Sequence, residues 1–468
     1  MKKCSIQSRC GSCQYIHVDY PSQLIQKRNR VIQLYKDFHV KVHPVVGMDE
    51  PYEYRNKVIV AFNQRYEYGL YEEASHRIVP MTTCLLHDQV TYEVLSCIQS
   101  LLKTYHVSIY DEKRRRGFLK HVLIRRAVKT NQTLVVFVAT EGVFPGSKNF
   151  CQKLVQQCPS VKSIVLNINK RQTSIVLSKI EKVLYGKGFI VDELCGLTFK
   201  ISAQSFYQIN HEQCEKLYQK VSELMTCSKK AIVLDTYCGI GTIGMTLSKR
   251  VGKVIGVELN HEAYKDAINN AKMNSISNIQ FVCQDATEFM KQTAMHHQHV
   301  DCLIMDPPRA GSTQEFINAV GILNPKEIIY VSCDPSTQVR DIKWFQKIGY
   351  TCHDVYPYDM FPHTEHVETV VLLSKLKTKK HIDIELHTDE LDLTSSESKA
   401  TYQEIKQYVL DKYGFKVSTL NIAQTKQECG IKERDNYNKP KMENSKQPNC
   451  PKEKEDAIKD AFRYFQMI

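Results

Sequence analysis

Three residues late in the chain have the types and settings that covalent chemistry on a ring requires. Cys333 lies in IIYVSCDPS (328–336), a short apolar run that turns into a proline-led segment. Asp334 follows it in a helix N-cap position, so the helix dipole there would favour a thiolate. A buried structural cysteine is the plain alternative for any lone thiol. Glu368, in HTEHVETVV, opens the next apolar run and is placed to hang over the same cleft from the other side. A thiol nucleophile with a carboxylate base implies addition to an electrophilic ring and then proton removal. Asp306 heads Asp306-Pro307-Pro308-Arg309. Two prolines without backbone N–H groups make a stiff loop that presents an acid and carbonyl oxygens to a flat base or a cofactor.

A glycine loop precedes all three. AIVLDTYCGIGTIG (231–244) contains the literal pattern G-x-G-x-x-G between an apolar run and a helical segment, with Glu258 about twenty residues further on. That combination serves a dinucleotide, the acid holding ribose hydroxyls. It serves S-adenosylmethionine equally well, because glycines let the backbone approach the amino-acid part and the acid again takes the ribose. The Asp306 loop favours the second reading, since nicotinamide enzymes have no characteristic need of it.

Such residues must be positioned by a scaffold. Four apolar runs, opening at Ala231, Val254, Asp301 and Ile328, alternate with helical segments such as HEAYKDAINNAKMNSIS (261–277). This is the pattern of an α/β, doubly wound parallel sheet. Asp235, Glu258, Asp285, Asp306 and Cys333 all fall at strand carboxyl ends, where such sheets collect their chemistry. The segments 351–360 and 366–375 predict an antiparallel hairpin on the sheet's edge. Upstream, 20–38 reads as an amphipathic helix with a basic face. Runs at 57–62, 121–128, 133–140, 163–169 and 174–178 read as strands of an α+β middle domain. Its basic residues Lys113, Arg114, Arg115, Arg116, Lys120, Arg125 and Arg126 are candidate phosphate contacts, although such runs are commonly solvated faces. Beyond 376 the composition turns polar, with one strand candidate, two helices about Gly414 and a last short helix.

At the amino end, Cys4, Cys10 and Cys13 fall within ten residues and Cys84 lies far downstream. Four thiols so arranged suit a metal site, and spacing leaves zinc and an iron–sulfur cluster both open. The chain has 17 cysteines, and MKKCSIQSRC has no apolar stretch of a signal peptide. A reducing, cytoplasmic setting is therefore expected, which excludes a disulfide framework. No run of about 18 apolar residues predicts a membrane span. A net charge of +12, carried almost wholly before residue 377, favours a polyanionic partner.

SFYQIN (205–210), LDTYCGIGTIG, MDPPRAG, VSCDPST and HTEHVETVVLL stand in an order that resembles the RumA/TrmA-type S-adenosylmethionine-dependent RNA uracil-5-methyltransferases, over about residues 1–376. The resemblance implies a Rossmann-like methyltransferase domain behind an RNA-facing central domain. The expected divisions are 1–50 for the cysteine region, 51–204 for the central domain, 205–376 for the methyltransferase domain and 377–468 for a helical appendage. By resemblance, Gln208, Tyr237, Thr242, Glu258, Asp285 and Asp306 contact the cofactor, Cys333 adds to uracil C6, and Glu368 removes the C5 proton. Cys4, Cys10, Cys13 and Cys84 resemble the [4Fe-4S] ligands of the 23S ribosomal RNA branch, with zinc less favoured. A transfer-RNA uridine is the alternative substrate, and a non-catalytic RNA-binding factor the alternative class. The chain starts at the cysteine region without the small β-barrel (TRAM) domain of many members. RNA affinity is then expected from the middle domain, the 20–38 helix or the appendage. A monomer is expected.

Overall fold

In the computed structural model, residues 2–73, 75–171, 175–375, 402–429 and 451–464 are described. The chain divides into two compact units, Met1–Lys377 and Thr378–Ile468.

The first unit contains a nine-stranded sheet built on the segment that the glycine loop opens. Ile232–Thr236 pairs in parallel with Lys253–Glu258 on one side and with Cys302–Met305 on the other. Ile279–Cys283 continues the first direction, Glu327–Ser332 the second. The strand order thus reverses beside Ile232–Thr236, and a crevice opens at that switch point above the carboxyl ends. Helices His211–Leu224, Thr242–Leu247 and His261–Met273 pack on one face. Helices Tyr20–Leu34, Ala286–Met295, Gln314–Leu323 and Pro335–Lys347 cover the other. Both faces being buried, the strands read as continuous apolar runs such as Ile328–Val331, all fully buried or nearly so.

The predicted hairpin forms, but it is not the edge. Glu368–Lys375 lies antiparallel between Glu327–Ser332 and Asp354–Tyr358, and Tyr350–Thr351 also pairs with it. The edge is closed by Lys41–Val42, parallel to Asp354–Tyr358. A two-residue strand has no periodicity to betray it, and its burial against the helix layer comes from tertiary contact.

A seven-stranded sheet forms the middle of this unit, in the order Ile78–Pro80, Tyr68–Tyr71, Lys57–Phe62, Leu119–Ala127, Gln132–Ala139, Val161–Ile168, Glu181–Tyr185. One face packs on helices Gln89–Thr104 and Ser147–Gln157. Leu123, Val136 and Val165 on the other face join the core that contains the methyltransferase sheet and the hairpin Phe189–Leu194/Leu197–Ser202. The strand expected at 174–178 is absent among the described residues 175–178. Its backbone groups are taken by side chains instead. Asn169 Nδ2 donates to the Ile175 and Val176 carbonyls, and the Asn167 amide pairs with both the N–H and the carbonyl of Ser178.

Two further expectations are corrected by burial. Lys27, on the supposed basic face, is fully buried and bonds Asp359 at 2.5 Å, so only part of that helix is free for an external partner. Arg125 and Arg126 are interior as well. Arg126 pairs with Asp88 at 2.8 Å, and Arg125 donates to the carbonyls of Ala203 and Ser205. Lys113, Arg114, Arg115 and Arg116 remain exposed.

In the second unit, helices Tyr402–Tyr413, Thr419–Glu428 and Lys452–Tyr464 bury Ile405, Val409, Ile422, Ile458 and Phe462 against one another. The strand candidate of 377–399 lies outside the described residues, as does Cys450.

Candidate active site

Ser332 and Thr369 form the last pair of an antiparallel ladder. Cys333 follows Ser332 and Glu368 precedes Thr369, so the two flank the end of the ladder, and they lie within charge reach of each other. Strand register therefore brings together the two residues that sequence placed on opposite sides of one cleft. Glu368 is 4 % exposed. Burial first, then the nearby Asp306, raises its pKa to about 8, with Arg309 opposing. Burial, Glu368 and Asp306 likewise push the Cys333 thiol up to about 11, again with Arg309 opposing. Asp334 does cap helix Pro335–Lys347, accepting from Ser336 N–H at 3.0 Å. The expected gain in thiolate is outweighed by burial and two facing carboxyl groups.

Asp306 is raised to about 7 by burial. Cys333, Glu368, Asp306 and Arg309 are thus mutually within electrostatic reach. Arg309 is the residue that motif reading left without a role, although its place in Asp-Pro-Pro-Arg marked it. Its guanidinium is exposed, lies 3.5 Å from His366 Nε2, and faces both reacting groups.

The glycine loop meets Asp306 across the switch point. Tyr237 takes φ +62°, which turns the chain sharply after the first strand. Gly239 N–H donates to Glu258 Oε2 at 2.9 Å, and Asn260 N–H to Oε1 at 2.6 Å, so that carboxylate is fixed at the strand end. Gly244 N–H donates to buried Asp235 Oδ2 at 2.9 Å, leaving Oδ1 unpartnered. A Cβ on Gly244 would lie 2.8 Å from that same oxygen, so the close approach requires glycine. Thr242 shares a 2.7 Å hydrogen bond with Tyr218, and the Tyr237 hydroxyl lies 3.4 Å from Ser312 Oγ. Gln208, Tyr237, Thr242 and Asp306 line one narrow crevice of about 30 Å³, with Phe206 at its mouth. At the Glu258–Gly239 bond it meets a hollow of about 880 Å³, lined by Lys200, Gln204, Glu258 and His261 among others. Asp285 lines neither, but it lies within charge reach of Tyr237. It is exposed and caps helix Ala286–Met295 through Thr287 N–H at 2.9 Å.

The four amino-terminal cysteines converge, although 71 residues of chain separate Cys13 from Cys84. Each is half-buried, and Cys13 and Cys84 lie within charge reach of Cys4, Cys10 and Arg55. Among the described residues, the group whose metal-ligating atoms all lie within 4.8 Å of one another is Cys227, Cys302 and Glu327.

A nucleotide-type crevice at the switch point, with a glycine loop, an acid on the second strand and a thiol opposite a carboxylate, defines an S-adenosylmethionine-dependent methyltransferase. The tRNA (uracil-5-)-methyltransferase family model matches residues 19–376, and this chain belongs to that family. It is 40 % identical over 379 residues to an uncharacterized RNA methyltransferase of Staphylococcus aureus, covering 79 % of this chain and 83 % of that protein. A counterpart in Oceanobacillus iheyensis is 39 % identical over 373 residues, covering 78 % and 81 %. Among solved structures it is similar to the Pyrococcus abyssi tRNA (uracil-54, C5)-methyltransferase in complex with S-adenosyl-L-homocysteine, with a TM-score of 0.68, 29 % identity, and coverage of 78 % of this chain and 86 % of that one. The chain is an S-adenosylmethionine-dependent RNA uracil-5-methyltransferase.

Proposed function

We propose that the enzyme methylates C5 of a uridine in 23S ribosomal RNA by way of a Cys333–C6 adduct, with Glu368 as the base that removes the C5 proton. The observation that carries this reading is the register that brings Cys333 and Glu368 to the end of the ladder, flanking the Ser332–Thr369 pair. S-adenosylmethionine supplies an electrophilic methyl group when bound. Gln208, Tyr237, Thr242, Glu258 and Asp306 are assigned to hold it, Glu258 at the ribose. Asp285 is assigned with them, although its carboxylate already serves as a helix cap. Cys333 adds through sulfur to C6, which makes C5 nucleophilic. Arg309, facing thiol and acid alike, is assigned to stabilise the thiolate and the enolate oxygen. Once C5 carries the transferred methyl group, Glu368 takes the C5 proton, and breaking of the C6–S bond frees Cys333. With its pKa raised to about 8, Glu368 is mainly protonated at neutral pH in the free protein, and the fraction able to accept the C5 proton grows as pH rises through that value. The target base must leave its stack to reach this site, at a cost of about a few kcal/mol.

The four cysteines are assigned as ligands of a [4Fe-4S] cluster. The convergence of the four thiols supports a metal group there, and the reaction itself requires no electron transfer. The quartet also supports the ribosomal RNA branch. A transfer-RNA uridine is the second reading, favoured by the named substrate of the Pyrococcus abyssi structure. The functional division follows the expected boundaries: 1–50 for the cluster, 51–204 for RNA, 205–376 for chemistry and 377–468 as an appendage. The test is mass-spectrometric mapping of 5-methyluridine in ribosomal and transfer RNA with and without the gene. Loss of a 23S site supports the proposal, and loss confined to transfer RNA replaces it with the second reading.

A further inference from the structure

The central sheet carries a directly opposed pair of cations beside the active-site loop. Lys57 and Arg125 are directly opposed in the antiparallel pairing of Lys57–Phe62 with Leu119–Ala127. Opposed residues share a face, and like charges in that arrangement repel. The neighbours fix which face it is. Val58, Val60, Val122 and Ile124 join the core beneath helices Gln89–Thr104 and Ser147–Gln157. Leu123 and Ile59, the alternate residues, pack with the methyltransferase core. Lys57 and Arg125 therefore look toward the methyltransferase core and away from the domain's own helices.

Neither forms an ion pair with a carboxylate among the described residues, and the one carboxylate within charge reach is Glu181, which acts on Arg125. Lys57 is half-buried, and its ammonium makes no hydrogen bond or ion pair with the described residues. Arg125 is 6 % exposed and donates through Nη2 to the carbonyls of Ala203, at 3.1 Å, and Ser205, at 2.5 Å, while its Nε is buried without an acceptor. Burial and the facing Arg125 lower the Lys57 pKa to about 8, as expected for a partly buried ammonium beside a second cation. A buried guanidinium left partly unsatisfied is costly to the fold alone. The same segment carries Phe206, 66 % exposed, and Gln208. Asn56, the residue before Lys57, stitches it to the sheet by donating from Nδ2 to the Gln208 carbonyl at 2.8 Å and from its N–H to Ile209 at 3.0 Å. Further along the same face, Ala61 and His121 lead into a cavity of about 330 Å³ that also receives Tyr71, His76 and Lys120.

We propose that Lys57 and Arg125 form a phosphodiester subsite that grips the RNA backbone next to the extruded uridine and leads the flanking strand across the central sheet. The inference rests on the RNA methyltransferase reading. It adds a cation pair that none of the chemistry motifs contain and that sits within two residues of the loop lining the cofactor crevice. A phosphate oxygen is an acceptor that the Lys57 ammonium and Arg125 Nε lack, and the cavity beyond, with Tyr71, His76 and His121 in its wall, suits single-stranded RNA.

The test measures binding of a short uridine-rich single-stranded RNA by fluorescence anisotropy across a salt series, alongside labelled-methyl transfer to bulk RNA from a strain lacking the gene. Lys57→Met should weaken RNA binding about tenfold and reduce the slope of log K against log salt by about 0.7, the value for one phosphate contact on a single strand. Lys57→Arg should restore both, which a merely structural role would not require. Lys347→Met, on an exposed helix surface, should change neither. In transfer assays the KM for RNA should rise while the KM for S-adenosylmethionine holds. An unchanged salt slope and RNA KM in Lys57→Met would overturn the subsite and leave the methyltransferase reading standing. A lost slope in a protein that methylates no RNA would do the reverse.

Discussion

Glu368 is buried, faces Asp306 and is relieved only by Arg309, so it holds its proton up to about pH 8. Its folded-state pKa is above that of the unfolded chain, and the folded protein binds more protons between roughly 4.5 and 8. Stability contributed through this group is therefore full at acid pH, declines as pH rises through that window, and levels off above it. Glu368→Gln should accordingly melt higher than wild type by about 2–4 °C at pH 8.5, with the gap closing near pH 5. Calorimetry of the cofactor-free protein at the two values reads this directly; an equal gap at both would show that the acid's ionisation is not what the fold bears. At this scale the sequence was informative. Cys333, Glu368 and Asp306 were legible because each interrupts an apolar run with a group that chemistry needs. What composition could not show was the burial that raises all three. Arg125 and Arg126 were misjudged for the matching reason, that a basic run on a strand alternates faces and tertiary packing decides which face is wet.

At the scale of elements, the glycine loop works through contact as much as through dihedral freedom. Gly244 sits against Asp235, where an added methyl would meet Oδ2 at 2.8 Å and Val254 Cγ1 at 3.0 Å. Gly244→Ala should shift the start of helix Thr242–Leu247 and weaken S-adenosylhomocysteine binding by about tenfold or more in calorimetric titration, while the protein still melts cooperatively. Unchanged affinity would show that this helix start does not shape the crevice. Helix Tyr20–Leu34 is held by another local fact, the fully buried Lys27–Asp359 pair, with Lys27 Nζ also donating to the Phe361 carbonyl at 3.1 Å. Removing one member of such a pair strands the other, and Lys27→Met should cost about 3–5 kcal/mol in denaturant unfolding. The parallel strands and their helices could be traced in sequence from periodicity alone. Lys41–Val42 and the irregular 175–178 segment could not, because one is too short to have a period and the other is set by the amides of Asn167 and Asn169.

Across the first unit, the amino-terminal region reaches the base that the sequence places at its far end. Cys13 lies within charge reach of Arg55 and Tyr54, and the Tyr54 hydroxyl donates to the Pro362 carbonyl at 3.0 Å. Gln23 pairs with the next residue, His363, through both its ring at 3.1 Å and its N–H at 3.0 Å. The loop that delivers Glu368 is thus gripped by residues near the cysteine quartet, so the cluster proposed there would act by positioning and not by electron transfer. Cys84→Ser, purified anaerobically, should lose most of its iron and lower kcat, while S-adenosylhomocysteine affinity stays within about twofold. Full iron content in that variant would remove Cys84 from the ligand set.

The central claim is that the sulfur of residue 333 bonds to the substrate base and that the carboxyl group of residue 368 is needed to release it. Glu368→Gln protein, incubated with S-adenosylmethionine and RNA from a strain lacking the gene, is to be digested and its peptides sequenced by mass spectrometry. The account predicts a methylated uridine attached to the peptide bearing Cys333, stable to denaturation, and no adduct when Cys333→Ala is added to the same protein. Undiminished methylation by the Cys333→Ala single variant, or an adduct on any other residue, would contradict it.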